Sequence, residues 1–199
     1  MIAIIDYGMG NLRSVQKAFE KVGAQAVVTS DPLKIATADK VVLPGVGAMA
    51  PAMQRLNELG LVGVIRQNAA VQKPFLGICL GFQLLFEKSS EGGHSEGLRI
   101  LEGTVDRFAS LKVPHMGWNQ IQVQANGEKM YQGVASGENV YFCHSYFVNP
   151  KDRSIASSIT NYGIDYVSSI VKGNIWGVQF HPEKSQTVGL QILKNFADL

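Results

Sequence analysis

The chain has 199 residues, ample for a large core, and a single domain over 1–199 is expected. Its net charge is only +2, with Lys and Arg scattered in no stripe, which argues against nucleic acid as a partner. No apolar run approaches the ~18 residues of a membrane span, and residues 1–6 are too short and lack the basic start of a signal peptide. The expected location is therefore the cytoplasm, with Cys79 and Cys143 as free thiols.

The predicted elements alternate through the first half. Residues 2–5 read as a buried strand, 6–11 as a loop, and 12–22 as an amphipathic helix stopped at Gly23. Residues 24–29 form a second strand. Ser30-Asp31-Pro32 starts a helix, with Pro32 in the first turn. A third strand at 40–43 runs into Pro44-Gly45-Val46-Gly47, followed by helices near 48–59 and 61–70. The apolar run 75–78 is a fourth strand, and the period turns helical through Leu84, Leu85 and Phe86. Strand alternating with helix predicts an α/β fold with an open, mixed, mostly parallel central sheet flanked by helices.

Past Glu87 the character changes. Residues 88–97 are a polar, glycine-rich loop containing His94, read as exposed. Short strands at 121–123, 140–143, 154–159 and 166–171 predict an antiparallel extension in the C-terminal half. A last strand at 174–180 delivers His181-Pro182-Glu183-Lys184-Ser185, and a helix near 187–196 closes the chain.

Cys79 sits at the strand-to-helix changeover with Gly77 and Gly81 two residues to either side. This is the G-x-nucleophile-x-G pattern of a nucleophile elbow, with sulfur as the nucleophile. A sharp turn forces the central residue into a crowded conformation, where a Cβ on either flank would clash. The turn also sets the thiol at a helix N-terminus, whose dipole favours thiolate. The same residues fit an inert buried cysteine, and both readings stay open on this stretch alone. A cysteine nucleophile needs a base, and His181 has the best context of the four histidines. It lies at a strand end, followed by Pro182 and by Glu183, a carboxylate able to orient an imidazole. A lone His before Pro also fits a simple strand cap. Pro44-Gly45-Val46-Gly47 ends another strand, and its N–H groups, with that of Leu80, suit an oxyanion hole or a plain strand-exit turn. Gly8-x-Gly10 lacks the third glycine of a dinucleotide loop because Arg13 stands there. No cofactor and no metal is expected.

Taken together, Gly77-Ile78-Cys79-Leu80-Gly81-Phe82-Gln83 and His181-Pro182-Glu183 resemble the class I (triad-type) glutamine amidotransferases, a flavodoxin-like fold. Asp6-Tyr7-Gly8-Met9-Gly10-Asn11, the segment 114–119, Phe142-Cys143-His144-Ser145-Tyr146 and Lys184-Ser185 are similar to the family of glutaminase subunits of imidazole glycerol phosphate synthase, over essentially the whole chain. The resemblance implies that Cys79 attacks the side-chain amide of L-glutamine, with His181 as base and then acid and Glu183 orienting it. It implies oxyanion N–H groups from Val46 and Leu80. Gln83 and Glu91 would hold the amino-acid end of glutamine, with Gly47, Ser145 and Tyr146 lining the pocket. It further implies a (β/α)8-barrel synthase subunit as partner, in a heterodimer that receives the ammonia. The barrel makes imidazole glycerol phosphate and an aminoimidazole carboxamide ribotide in histidine biosynthesis. Asn11, Trp118 and Lys184 would face that partner, and Met9 stands where many family members carry proline. His115 and His144 read as structural or interfacial, and Cys143 as a buried bystander. The alternatives are another amidotransferase subunit (anthranilate synthase type), a γ-glutamyl hydrolase, or a non-catalytic flavodoxin-like binding module.

Overall fold

The computed structural model describes residues 1–93 and 95–199, so the expectation for His94 lies outside the described residues. The first strands are short, apolar and buried: β1 (Ile2–Ile5), β2 (Ala26–Thr29), β3 (Lys40–Gly45) and β4 (Phe75–Cys79). Between them run α1 (Leu12–Lys21), α2 (Pro32–Thr37), α3 (Met49–Glu58) and α4 (Leu61–Ala70). The start of α2 has a direct cause: Asp31 accepts a hydrogen bond from Leu33 N at 2.9 Å, and Pro32 needs no donor partner there.

After β4 comes α5 (Leu80–Gln83), a single turn. The expected helical run does not continue through residues 84–86. The chain folds back, and Leu98, Arg99 and Ile100 donate backbone N–H groups to the carbonyls of Leu84, Phe86 and Leu85. That returning segment takes the carbonyls a next helical turn would use.

The chain continues with the two-residue strands β5 (Lys88–Ser89) and β6 (Ser95–Glu96), then β7 (Gly103–Arg107), β8 (His115–Gln120) and β9 (Gln122–Val123). The strands β10 (Asn139–His144), β11 (Tyr146–Pro150), β12 (Ala156–Asn161), β13 (Asp165–Lys172) and β14 (Ile175–Val178) follow, and α6 (Gln186–Ala197) ends the fold. Segment 114–119 is thus a strand in its own right, and the strand expected at 121–123 is the shorter β9. The described residues place the strands in a twelve-stranded sheet and a separate β8–β10 pair.

The large sheet has two halves. Its order begins β2-β1-β3-β4-β14, all parallel, and continues through β13, β11 and β7 in antiparallel pairings. Side chains alternate across the parallel half. Ala3, Ile5, Val41 and Leu43 pack with Ile35 of α2, Met49 and Leu56 of α3, and Leu61 and Ile65 of α4. Ile2, Ile4, Val42, Leu76 and Ile78 pack on the other face with Val15 and Phe19 of α1, and Ile192, Leu193 and Phe196 of α6. Cover on both faces explains why these strands are apolar apart from Thr29 and Lys40 at strand ends. Strands β3, β4 and β14 are adjacent, so Val46, Cys79 and His181 leave the sheet at the same edge, where α/β sheets place ligands. The β8–β10 pair supplies further residues to that edge. Among the described residues no helix is long and apolar enough to cross a membrane.

Candidate active site

Cys79 joins β4 to α5 with φ +53° and ψ −110°, a conformation that costs a non-glycine residue roughly 1–3 kcal/mol. Its neighbours make the turn possible. A Cβ on Gly77 would lie 2.8 Å from Phe82 Cα, and one on Gly81 would collide with the Leu43 carbonyl of β3. The absence of both methyls lets α5 sit directly on the parallel sheet. Cys79 is buried, with Sγ 3.9 Å from the Cys143 carbonyl oxygen and 3.7 Å from Gln179 Nε2.

His181 follows β14 by three residues. Its N–H donates to Tyr141 O at 2.9 Å, and its carbonyl accepts from Ser185 Oγ at 2.7 Å. A short 3₁₀ turn, Pro182–Lys184, then folds Glu183 back so that its Oε1 lies 2.9 Å from His181 Nδ1. Both side chains are buried, 4% and 1% exposed, so the pair is poorly screened. Burial alone depresses the imidazole. Hydrogen bonds to Cys79 and to Glu183, and their negative charges, outweigh it and raise His181 to about 10. The imidazole is therefore held protonated between sulfur and carboxylate. Glu183 Oε2 has no hydrogen-bond partner among the described residues.

A cavity of about 260 Å³ opens over the sulfur. Its walls bring together Val46, Gly47, Leu80, Gln83, Glu91, Ser145, Tyr146 and Lys184 around Cys79 and His181. Gly47 takes φ +98° at the end of β3, and the site a Cβ would occupy there lies 3.0 Å from Met9 Cε, so the loop after β1 packs on this wall. Glu91 reaches back to α3, its Oε2 accepting from Met49 N at 2.7 Å. Gln83 Nε2 donates to Tyr146 O at 2.9 Å and to Gln179 Oε1 at 3.0 Å. Glu183 stands behind His181 rather than on the wall. Trp118 lies outside the cavity, 49% exposed on β8, its ring edge-on to Tyr141 at 6.0 Å; Lys184 Nζ sits 5.6 Å from the centre of that tyrosine ring. Asn11 is exposed ahead of α1 and joins none of these contacts. Among the described residues, no group of three or more His, Cys, Asp or Glu is placed to hold a metal ion.

A family model described as class-I glutamine amidotransferase matches residues 3–199. The chain belongs to that family. It is 54% identical over 207 residues to an imidazole glycerol phosphate synthase subunit HisH of Syntrophotalea carbinolica, covering all of both chains. It is 52% identical to the subunit of the same name from Moorella thermoacetica, over 100% of this chain and 94% of that one. A crystal structure of a glutamine amidotransferase superposes with a TM-score of 0.78 over 100% of both chains at 16% identity, a likeness of fold.

In this amidotransferase two further histidines among the described residues, His115 and His144, are committed elsewhere. His144 Nδ1 bonds the Tyr146 carbonyl at 2.7 Å, while its Nε2 meets His115 Nδ1 and Tyr166 OH, each at 3.2 Å. Burial lowers His115 to about 4 and His144 to about 3, so both are neutral near pH 7. Cys143 is closer to the chemistry than a bystander: it is half-buried, and its backbone lines the cavity beside the sulfur. Two residues escaped the sequence reading. Gln179, fully buried, touches Sγ; its signal was a lone amide in an otherwise apolar strand end. Tyr7, also fully buried, fills the space a Cβ on Gly45 would need, and its hydroxyl has no hydrogen-bond partner among the described residues. Burial, and then the nearby Cys79 charge, push that phenol up.

Proposed function

We propose that this chain, as one amidotransferase domain over 1–199, is the glutaminase subunit of imidazole glycerol phosphate synthase. It hydrolyses L-glutamine to glutamate and ammonia and passes the ammonia to a (β/α)8-barrel synthase subunit in the cytoplasm, in histidine biosynthesis. The observation that carries the reading is the Cys79–His181–Glu183 arrangement beside a cavity of about 260 Å³, in a chain about half identical over its full length to subunits of that name.

The geometry supports the following chemistry. With the shared proton on His181, the Cys79 sulfur attacks the amide carbon of glutamine. Negative charge moves onto the amide oxygen, toward N–H groups of Leu80 and of the loop at Val46. His181 then protonates the departing nitrogen, and ammonia leaves a thioester on Cys79. Water, deprotonated by the same imidazole, releases glutamate. Glu183 keeps the ring oriented and its cationic form favourable. Glu91 pairs with the substrate ammonium through the oxygen not bonded to Met49 N. Gln83 has its amide nitrogen committed and offers its carbonyl oxygen to the same end. Gly47, Ser145 and Tyr146 shape the pocket. Asn11, Trp118 and Lys184 form the docking face for the barrel.

The test uses the chain co-purified with a barrel subunit. Cys79→Ala is expected to lower glutamine-dependent synthesis by ~10⁴-fold or more, while ammonia-dependent synthesis by the barrel persists. Glutaminase activity surviving in that variant would remove Cys79 from the mechanism. Failure of the barrel subunit to co-purify would remove the partner.

A further inference from the structure

Gln179 follows β14 by one residue. The last registered pair of β4 and β14 sets Val178 beside Ile78, so the next residues along, Cys79 and Gln179, lie side by side at the sheet edge. A fully buried amide here needs partners for its polar atoms. It has two: Oε1 accepts from Gln83 Nε2 at 3.0 Å, and Nε2 points at Cys79 Sγ from 3.7 Å.

The direction of this chain is dictated at its far end. The Tyr146 backbone carbonyl can only accept. It takes the Gln83 amide nitrogen at 2.9 Å as one donor and His144 Nδ1 at 2.7 Å as the other. Gln83 therefore turns nitrogen, not oxygen, toward Gln179. Gln179 must answer with oxygen, and its nitrogen is left for the sulfur. Reversing either amide would set oxygen against oxygen or nitrogen against nitrogen. A backbone carbonyl thus decides which end of a side chain meets the nucleophile.

On its other side the sulfur faces the Cys143 carbonyl at 3.9 Å. A thiol can donate to that oxygen, but a thiolate is repelled by it, so the charged form needs a donor from elsewhere. We infer that Gln179 is a further catalytic residue, whose amide N–H hydrogen-bonds the Cys79 thiolate, and that Gln83 is a positioning residue that sets the direction of that N–H. The inference rests on the reading of Cys79 as nucleophile. In the step concerned the proton rests on His181, and the electron pair it left stays on sulfur. That pair then forms the S–C bond, while the carbonyl π pair moves onto the amide oxygen. Gln179 gains and loses no proton. It favours the charged state of the sulfur as hydrogen bonds to a charged form do. The titratable groups around the sulfur are His181 beyond β14, Tyr7 beyond β1 and Tyr166 of β13, with Glu91, Cys143, Tyr146 and Lys184 on the cavity wall and His144 of β10 facing His181. Gln179 is the neutral donor among them.

The test is the pH dependence of Cys79 alkylation by iodoacetamide in the full chain, read by peptide mass spectrometry, with Cys143 as internal reference. Gln179→Met keeps the side chain's length and removes the N–H. Its pH midpoint for Cys79 is expected to rise by about one unit, with alkylation below the midpoint about tenfold slower. In the complex, kcat for glutamine is expected to fall about tenfold, with KM within about twofold. Gln83→Met, which releases the Gln179 amide to turn, is expected to shift the midpoint the same way by less. It is the deciding variant if circular dichroism shows Gln179→Met unfolded. A parental midpoint in the folded deciding variant overturns the inference while leaving Cys79 as nucleophile. If Cys79 of the parent reacts no faster than Cys143 at any pH, the nucleophile reading falls, and this inference with it.

Discussion

The parallel half of the sheet and its antiparallel extension meet at the same cavity but are built on different physics. The buried residues of β1, β3, β4 and β14 are apolar, and they place the chemistry by shape: which backbone can approach which. The extension, with the separate β8–β10 pair beside it, buries His115, His144, Ser157, Ser158, Ser168 and Ser169, and positions its groups by hydrogen-bond direction. Tyr131 OH, for example, meets Ser158 Oγ at 2.9 Å and Ser169 Oγ at 2.7 Å. Shape is unforgiving of an added atom. A polar network is unforgiving of a missing partner, or of a proton gained.

The harshest test of this contrast adds one methyl group to the parallel half. Gly81→Ala drives a Cβ into the Leu43 carbonyl, which belongs to a central strand and cannot yield. A loss of about 3 kcal/mol or more in urea unfolding is expected. A cost under 1 kcal/mol would mean the elbow is slack.

Next in size is the response to pH, which should have opposite sign in the two regions. His181 is raised to about 10, above its unfolded value near 6.5. Its contribution to stability is complete below pH 6.5 and is lost as pH climbs toward 10. His115 and His144 are lowered to about 4 and about 3. Their contribution is complete above pH 6.5 and is lost as pH falls, because the unfolded chain binds protons the folded one refuses. Urea unfolding is expected to show a stability maximum near neutrality, with a loss on the order of 2 kcal/mol by pH 5 from the two buried histidines. Cys79→Ala, which removes one cause of the His181 shift, should flatten the alkaline limb and leave the acid limb alone. A flat profile from pH 7 to 5 would contradict the neutral histidine network.

The smallest effect expected comes from removing one oxygen from the extension. Tyr166→Phe strips the hydroxyl that meets His144 Nε2 at 3.2 Å and His115 Nδ1 at 3.3 Å. About 1 kcal/mol of stability should go. Glutamine turnover should fall only a few-fold, because the Tyr146 carbonyl keeps its Gln83 donor. A collapse of activity would give the network a direct part in the chemistry.

The two regions also differed in how far they could be read. Apolar runs and glycine spacing mark the parallel half, because burial on both faces leaves one kind of residue possible. The elbow's helix was read too long because residues 84–86 look helical on their own, and only the returning segment 97–101 shows what replaces the next turn. The extension was legible as strands but not in its pairings, where register shifts between β12 and β13 break the alternation. The residues proposed for substrate came to one cavity because loops at three strand ends face it. Gln179 and Tyr7 were missed because their significance lies in what their polar ends touch, or fail to touch, across strands that are distant in sequence.

The backbone at Cys79 carries a historical consequence. Its φ of +53° suits glycine better than any residue with a side chain. Once the thiol is not needed, drift at this position runs downhill toward glycine, and stability rises as activity disappears. A lineage that had stopped using its sulfur would have a standing reason to lose it. A cysteine in that conformation carries a backbone cost that glycine would not, and the proposed nucleophile accounts for it.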